Sequence, residues 1–365
     1  MTFPPFDYAR RVDSVRQSLH ELGVDGLLVT SLVNVRYLTG FTGSAAMAHV
    51  SDHRVLLMTD GRYTTQAEEE VVAGTEIAIR GDDGYRPIVQ AAVTSGRHGL
   101  EAEAVSWAES RRVAEWLPSV ELAPTSGVVE EVRTQKDAGE MARLEAAVSI
   151  GDATLQRLMP EIHAGRTENQ IAALIESSFR DLGASGPSFP TIVAAGSRSA
   201  MPHHRAGPAP LERGDLVVLD FGCVVDGYCS DMTRTAIVGK PTAEQRALYA
   251  LVKEAQEAAR QCARSGVPAS ELDHAAREVI AAAGHGDAFS HSLGHGVGLE
   301  IHEAPWARAT STDILQPDHV VTDEPGVYLA GYGGVRLEDM LAVTETGCRT
   351  MTSSPHDLDF YVVGA

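Results

Sequence analysis

The stretch 219–235, LDFGCVVDGYCSDMTRT, constrains the fold more than any other. Asp226-Gly227 is a strong signal for a two-residue type I′ turn, whose central positions both need positive φ. With that turn, Val225 sits opposite Tyr228, Asp220 faces Thr233, and Asp231 faces Gly222. Side chains alternate along each arm, so Asp220 and Asp231 share one face as diagonal neighbours. The flanks, LVVL and MTRTAIV, read as core strands. Two ionised carboxylates that close on an apolar scaffold repel each other and need a cation. A solvent-facing hairpin with incidental acids is the weaker reading, given those flanks. The same register puts Cys223 and Cys229 on opposite faces, a poor metal or disulfide pair.

Further ligands are sought downstream. FSHSLGHGVGLEIHEAP (289–305) holds His291, His295 and His302. Gly294, Gly296 and Gly298 argue against a helix there and for an extended segment that a substrate's backbone can approach. A single histidine is usually an ordinary surface or core residue, but three interleaved with glycine are harder to dismiss. VVTDEPGVYLAGYGGVRLEDMLAVTE (320–345) adds Glu324 and Glu338, each within an apolar, strand-like stretch where a glutamate is usually exposed unless it is a ligand. Arg336 shares the parity of Glu338 and could orient it. Carboxylates with one imidazole suit paired divalent ions such as Mn, Co or Zn.

The remainder of the chain supplies a frame. Its 365 residues allow two domains. Up to about residue 125, strands (26–30, RVLLMT) alternate with helices (one ending at Gly23, one stopped by Gly74, and SWAESRRVAEWL), which predicts an α/β layer. No Gly-rich phosphate loop follows these strands, so a dinucleotide site is not indicated. Pro124 and Gly127 punctuate a change of texture, and the boundary is placed at about residue 128: domains 1–127 and 128–365. Beyond it, Ala-rich helices over 138–159, 167–183, 242–265 and 270–283 mix with strand hairpins, an α+β pattern. A formal net charge of -20 disfavours nucleic acid and anionic membranes and reads as solubility. Four cysteines without CxxC spacing, no signal-peptide core and no apolar run of about 18 residues fit a cytoplasmic location.

The order Asp, Asp, His, Glu, Glu in DFGCVVDGYCSDMTRT, GHGVGLEIHE, EPGVYL and GGVRLED resembles the pita-bread metallopeptidases, and among them the Xaa-Pro peptidases, aminopeptidase P and prolidase. LVNVRYLTGFTGS (32–44) and LMTDGRY (57–63) resemble that family's creatinase-type N-terminal domain. The resemblance implies an α/β N-terminal domain, a pita-bread catalytic domain with pseudo-twofold halves, and two divalent ions, manganese first. It makes Asp220, Asp231, His295, Glu324 and Glu338 the ligands, with Asp231 and Glu338 bridging. His203 (in AMPHHRAG, with His204 as an extra neighbour), His291 and His302 would line the substrate site. The implied reaction is metal-assisted hydrolysis of the bond before proline. Glu324 would shuttle a proton to the leaving nitrogen, and His291 and His302 would donate to the carbonyl oxygen. Proline-containing peptides and a homodimer are the implied partners.

A methionine aminopeptidase would not need the N-terminal domain, while a creatinase or a non-enzymatic scaffold would be expected to lack ligands that are all present here. NVRYLTGFTGS leans toward aminopeptidase P over prolidase. A dipeptidase must hold the free carboxylate of its proline, and Arg308, in HEAPWARATS, is the candidate anchor, with Arg336 as a second substrate contact. Two departures from the family pattern stand out. Asp323 replaces an apolar residue before EPG, and Asp318-His319 replace Gly-Met after LQP. Asp323 is expected to point away from the face of Glu324.

Overall fold

The computed structural model describes residues 2–364. The chain folds as two compact units, Phe6–Arg133 and, joined by the few residues before it, the chain from Thr134 onward.

In the first unit, α1 (Tyr8–Leu22) starts on the Asp7 side chain and ends at Gly23 with φ 63°. β1 (Gly26–Val29), α2 (Leu32–Thr39), β2 (Ala46–Ser51), β3 (Val55–Asp60), α3 (Thr64–Glu70), β4 (Thr75–Arg80), α4 (Arg86–Ala92), β5 (Arg97–Glu101), α5 (Trp107–Trp116), β6 (Glu121–Thr125) and α6 (Val128–Thr134) follow. The six strands form one mixed sheet in the order β4-β3-β2-β1-β5-β6. The helix expected to run to Gly74 stops at Glu70. Val71 is already extended, and the Val72 N–H donates to Thr39 O, which draws the chain away from the helix axis. The expected boundary at 128 is the start of α6, whereas the division between the units falls near its end.

The second unit opens with α7 (Ala138–Leu158) and α8 (Glu168–Asp181), each begun by a capping box, Asp137/Glu140 and Thr167/Gln170. β7 (Gly186–Pro187), β8 (Ile192–Ala195), β9 (Leu216–Phe221), β10 (Cys223–Val225), β11 (Tyr228–Cys229) and β12 (Met232–Val238) complete a first half. The second half runs through α9 (Ala243–Cys262), α10 (Ala269–Ala282), β13 (Gly294–Gly296), β14 (Glu303–Ala307), β15 (Val320–Asp323), β16 (Gly326–Leu329), β17 (Gly333–Arg336), β18 (Asp339–Val343) and β19 (Cys348–Thr350). β20 (Val362–Val363) returns to pair with β12. Each half packs a helix pair on its own strands: α7 and α8 on β8 and β10, and α9 and α10 on β14–β17. The two main sheets are β20-β12-β9-β8 and β14-β13-β15-β18-β19, and both feed one apolar core.

Candidate metal centre

The Asp-Gly turn forms as its sequence demands, with φ 44° at Asp226 and 79° at Gly227, and Val225 pairs with Tyr228. Asp220 pairs with Thr233, as the register required. The hairpin is nevertheless two ladders rather than one, β9/β12 and β10/β11, and Gly222 and Asp231 lie in the gap between them. Ser188 takes up the backbone groups that the gap leaves over: its N–H donates to Gly222 O and its hydroxyl to Ser230 O. The Asp231 side chain is thus presented from a break in the ladder.

The second hairpin repeats this construction. β15/β18 and β16/β17 share one continuous register, and Glu324 and Glu338 stand opposite each other in the gap between them. Both were expected inside strands; both lie at a junction instead. Pro325 has no N–H to continue the ladder, and the Glu324 and Glu338 amides turn elsewhere, donating to Leu293 O just before β13 and to Thr233 O on β12. The bond to Thr233 lays the second hairpin against the first. His295 arrives on β13, flanked by Gly294 and Gly296. A Cβ at either glycine would stand 2.1 Å from a neighbouring carbonyl, Thr322 O or Ala304 O, so only glycine allows β14 and β15 to close around the imidazole.

Asp220, Asp231, His295, Glu324 and Glu338 all line one cavity of about 730 Å³, within the usual size range of small-molecule sites. Donor atoms of Asp231, His295 and Glu338 lie within 4.8 Å of one another. His295 Nδ1–H donates to Gly296 O at 3.0 Å, and Nε2 points at Glu324 Oε1 at 3.4 Å and Asp231 Oδ2 at 3.7 Å. Among the described residues, Asp220 Oδ1, Asp231 Oδ1 and Glu338 Oε1 are buried without a hydrogen-bond partner. Burial pushes Asp231 and Glu338 well above the carboxylate range, and the neighbouring acids, Asp220 beside Asp231 and Asp231 beside Glu338, push them further. Burial also raises Asp220, against the pull of Arg336. Glu324 is the exception: burial would raise it, but the His295 bond holds it below the usual range. Unpartnered carboxylate oxygens converging with an imidazole nitrogen fit divalent cations.

Arg336 does not bond Glu338. Its Nη2 donates to Asp220 Oδ2 at 2.6 Å, Nη1 to Tyr328 Oη at 2.7 Å, and Nε to Thr233 Oγ1 at 3.1 Å. Thr233 in turn donates to Glu338 Oε2 at 2.7 Å, so Arg336 braces Asp220 directly and Glu338 through one hydroxyl. With 3% of its surface exposed, it has little left to offer a substrate. His203, His291 and His302 line the cavity. The His302 ring stands edge-on to His295 at 4.3 Å. His291 Nδ1–H donates to Ser292 O, and its Nε2 accepts from the Tyr328 hydroxyl at 2.9 Å. Burial lowers both imidazoles, with His295 adding to the effect at His302. Arg308 is exposed, does not line the cavity, and places its guanidinium over the Trp306 ring. Trp306 itself is a wall of the cavity.

Asp323 is fully buried on β15 opposite Asp339, and neither of its carboxylate oxygens has a partner among the described residues. Asp318 has φ 67°, the left-handed conformation in which glycine is ordinarily favoured. His319 is buried, and burial, then Lys136, lowers its pKa to about 4. Tyr328, Trp306 and Arg205 are cavity-region residues that sequence reading passed over. Tyr328 shares the parity of Glu324 along EPGVY, a signal that was available. Trp306 and Arg205 carry none.

Residues 142–345 match the model of metallopeptidase family M24, and residues 11–135 match the creatinase/prolidase N-terminal domain. The chain belongs to metallopeptidase family M24, with the pita-bread fold, and is a metal-dependent hydrolase. It is 35% identical over 350 residues to the Xaa-Pro dipeptidase of Pyrococcus furiosus, covering 95% of this chain and 99% of that one. The structure of an Xaa-Pro dipeptidase from Bacillus anthracis superposes with a TM-score of 0.93 at 37% identity, covering 96% of this chain and 99% of that one. An X-Pro aminopeptidase from Thermotoga maritima gives a TM-score of 0.88 at 36% identity, with the same coverages.

Proposed function

We propose that the protein is an Xaa-Pro dipeptidase that cleaves the bond before a C-terminal proline. The observation that carries this reading is the convergence of Asp220, Asp231, His295, Glu324 and Glu338, with unpartnered carboxylate oxygens, in one cavity of a chain whose similar relatives include several Xaa-Pro dipeptidases. The lean toward aminopeptidase P is not kept. Its carrier, NVRYLTGFTGS, lies in the N-terminal unit and contributes no residue to the cavity.

In this reading the five side chains hold two divalent ions, manganese by the hardness of the donor set, with cobalt and zinc as alternatives. Ions held there would supply a lowered pKa for a bound water and polarisation of the scissile carbonyl. Glu324, the carboxylate held ionised beside His295, takes the water's proton and passes it to the proline nitrogen as the bond breaks. His302 and His203, exposed at the cavity wall, donate to the developing oxyanion, and His291, anchored by Tyr328, fixes the floor. Arg336 keeps Asp220 aimed. A proline tertiary amide offers no N–H, so recognition falls on ring shape, for which the Trp306 face is suited. A cytoplasmic homodimer belongs to the same reading and is checked by light scattering. No helix among the described residues is long and apolar enough to cross a membrane.

The deciding experiment assays Xaa-Pro and Xaa-Pro-Yaa side by side on manganese-loaded, cobalt-loaded and chelated protein. Efficient dipeptide cleavage that chelation abolishes is expected. Cleavage of the tripeptide alone would make aminopeptidase P the right description, and no hydrolysis by fully loaded protein would point to a scaffold.

A further inference from the structure

A dipeptide ending in proline brings a free carboxylate into a cavity walled by acids, and this inference rests on the dipeptidase reading. Such an anion needs a cation that is not already paired. Two arginines line the cavity, Arg205 and Arg336. Arg336 is committed to Asp220, Tyr328 and Thr233. Arg205 is exposed and makes no hydrogen bond or ion pair among the described residues.

The residues on both sides of Arg205 are tied to one buried carboxylate. The His204 Nε2–H before it and the Gly207 N–H after it both donate to Glu168 Oε2, at 2.9 and 3.0 Å. Glu168 Oε1 is held by Ala195 N–H at 2.9 Å and Arg198 Nε at 2.7 Å, and the residue is 0% exposed. The Asn169 amide, next on α8, donates to Gly207 O. Upstream, Pro202 O accepts from Arg336 Nη1 and Ser199 Oγ accepts from Gly334 N–H, so the segment is also tied to the strand that carries Arg336. The clamped segment fixes where the side chain starts, and an unpaired guanidinium gives up no internal bond when it meets an anion. Its planar fork matches a carboxylate with two parallel hydrogen bonds.

We propose that Arg205 is the specificity-determining residue that receives the proline carboxylate, and that Glu168 and His204 are its positioning residues. The test uses the metal-loaded full chain, with an Xaa-Pro dipeptide and the same compound as its C-terminal amide. Arg205→Gln should raise KM and lower kcat/KM for the free acid by about 10- to 100-fold, the scale of a lost charge-assisted bond. The amide, which has no charge to pair, should change less than about twofold, and Arg205→Lys should recover part of the loss. His204→Ala should raise KM for the acid with little change in kcat, and His204→Asn, which can still donate to Glu168, should restore it. Metal content and melting temperature of Arg205→Gln should match the parent, since no bond of the fold is removed. Equal loss on acid and amide, or no loss on either, overturns the assignment alone. A parent that cuts Xaa-Pro-Yaa and spares Xaa-Pro overturns both the assignment and the dipeptidase reading.

Discussion

Glu338 and Asp339 are neighbours in the chain, both are buried, and their carboxyl groups are driven in opposite directions. Burial acts first on each and raises both. At Asp339 it is outweighed by Arg234 and His356, and the pKa falls to about 2. Arg234 Nη2 donates to Asp339 Oδ1 at 2.7 Å and Gln256 Nε2 to Oδ2 at 3.0 Å, so each oxygen has its donor. At Glu338 a single hydroxyl, Thr233, stands against burial and three further acids, Asp231, Glu324 and Asp220, and the group is pushed well above the carboxylate range. The same contrast separates Glu168, held low by His204 and Arg198 against its burial, from Asp231. One set of buried acids is satisfied by the protein and holds the fold together. Asp231 and Glu338 are left short of partners in a cavity, where cations can complete them.

The largest expected effect tests the incomplete set. Asp231→Ala should lose both ions and several kcal/mol of transition-state stabilisation, leaving no measurable hydrolysis while the chain stays folded. Two ions per chain in a folded mutant would remove Asp231 from the ligand set. Arg234→Met tests the complete set. It removes the one cation on Asp339 Oδ1, and unfolding by denaturant should show a loss of about 3–5 kcal/mol. A stability equal to the parent's would mean that Asp339 does not depend on its partner.

Third comes an imidazole that belongs with the unsatisfied groups. His49 is buried beside His98 with no partner on Nδ1 among the described residues, and burial, then His98, lowers its pKa to about 4. An unfolded histidine titrates near 6.5. The unfolded state therefore gains the proton first, and stability that is full above pH 6.5 is lost as pH falls toward 4, by about 3 kcal/mol. In His49→Gln the gap between melting temperatures at pH 7 and pH 4.5 should narrow; an unchanged gap would assign the acid sensitivity elsewhere, His319 first. The smallest expected effect is at Arg308. It lies outside the cavity, and Arg308→Gln should change dipeptide kcat/KM by less than about twofold. A tenfold loss there would return the carboxylate anchor to Arg308.

Much of the site was legible because its determinants are local. The Asp226-Gly227 turn fixes the pairing of Asp220 with Thr233 through backbone geometry over a few residues. Capping residues such as Asp137, Thr167 and Thr242 mark helix starts for the same reason. The four acids stood out from their setting among apolar strands, the family resemblance picked His295 out of three histidines, and the structure brings all five into one cavity. The breaks in both hairpins were not legible. They depend on Ser188, Leu293 and Thr233 capturing backbone groups from elsewhere in the fold. Parity along a strand pointed Arg336 at Glu338, but the crossing of the two hairpins gave its Nη2 to Asp220, 116 residues away. Arg205 and Arg308 look alike in the sequence, each a lone arginine near a candidate histidine. The clamp on Glu168 puts Arg205 in the cavity, and the Trp306 ring holds Arg308 outside it. Turn chemistry, capping and alternation act within a few residues, so the sequence alone settles them. Which charge meets which depends on sheets packing across more than a hundred residues, and only the tertiary structure decides it.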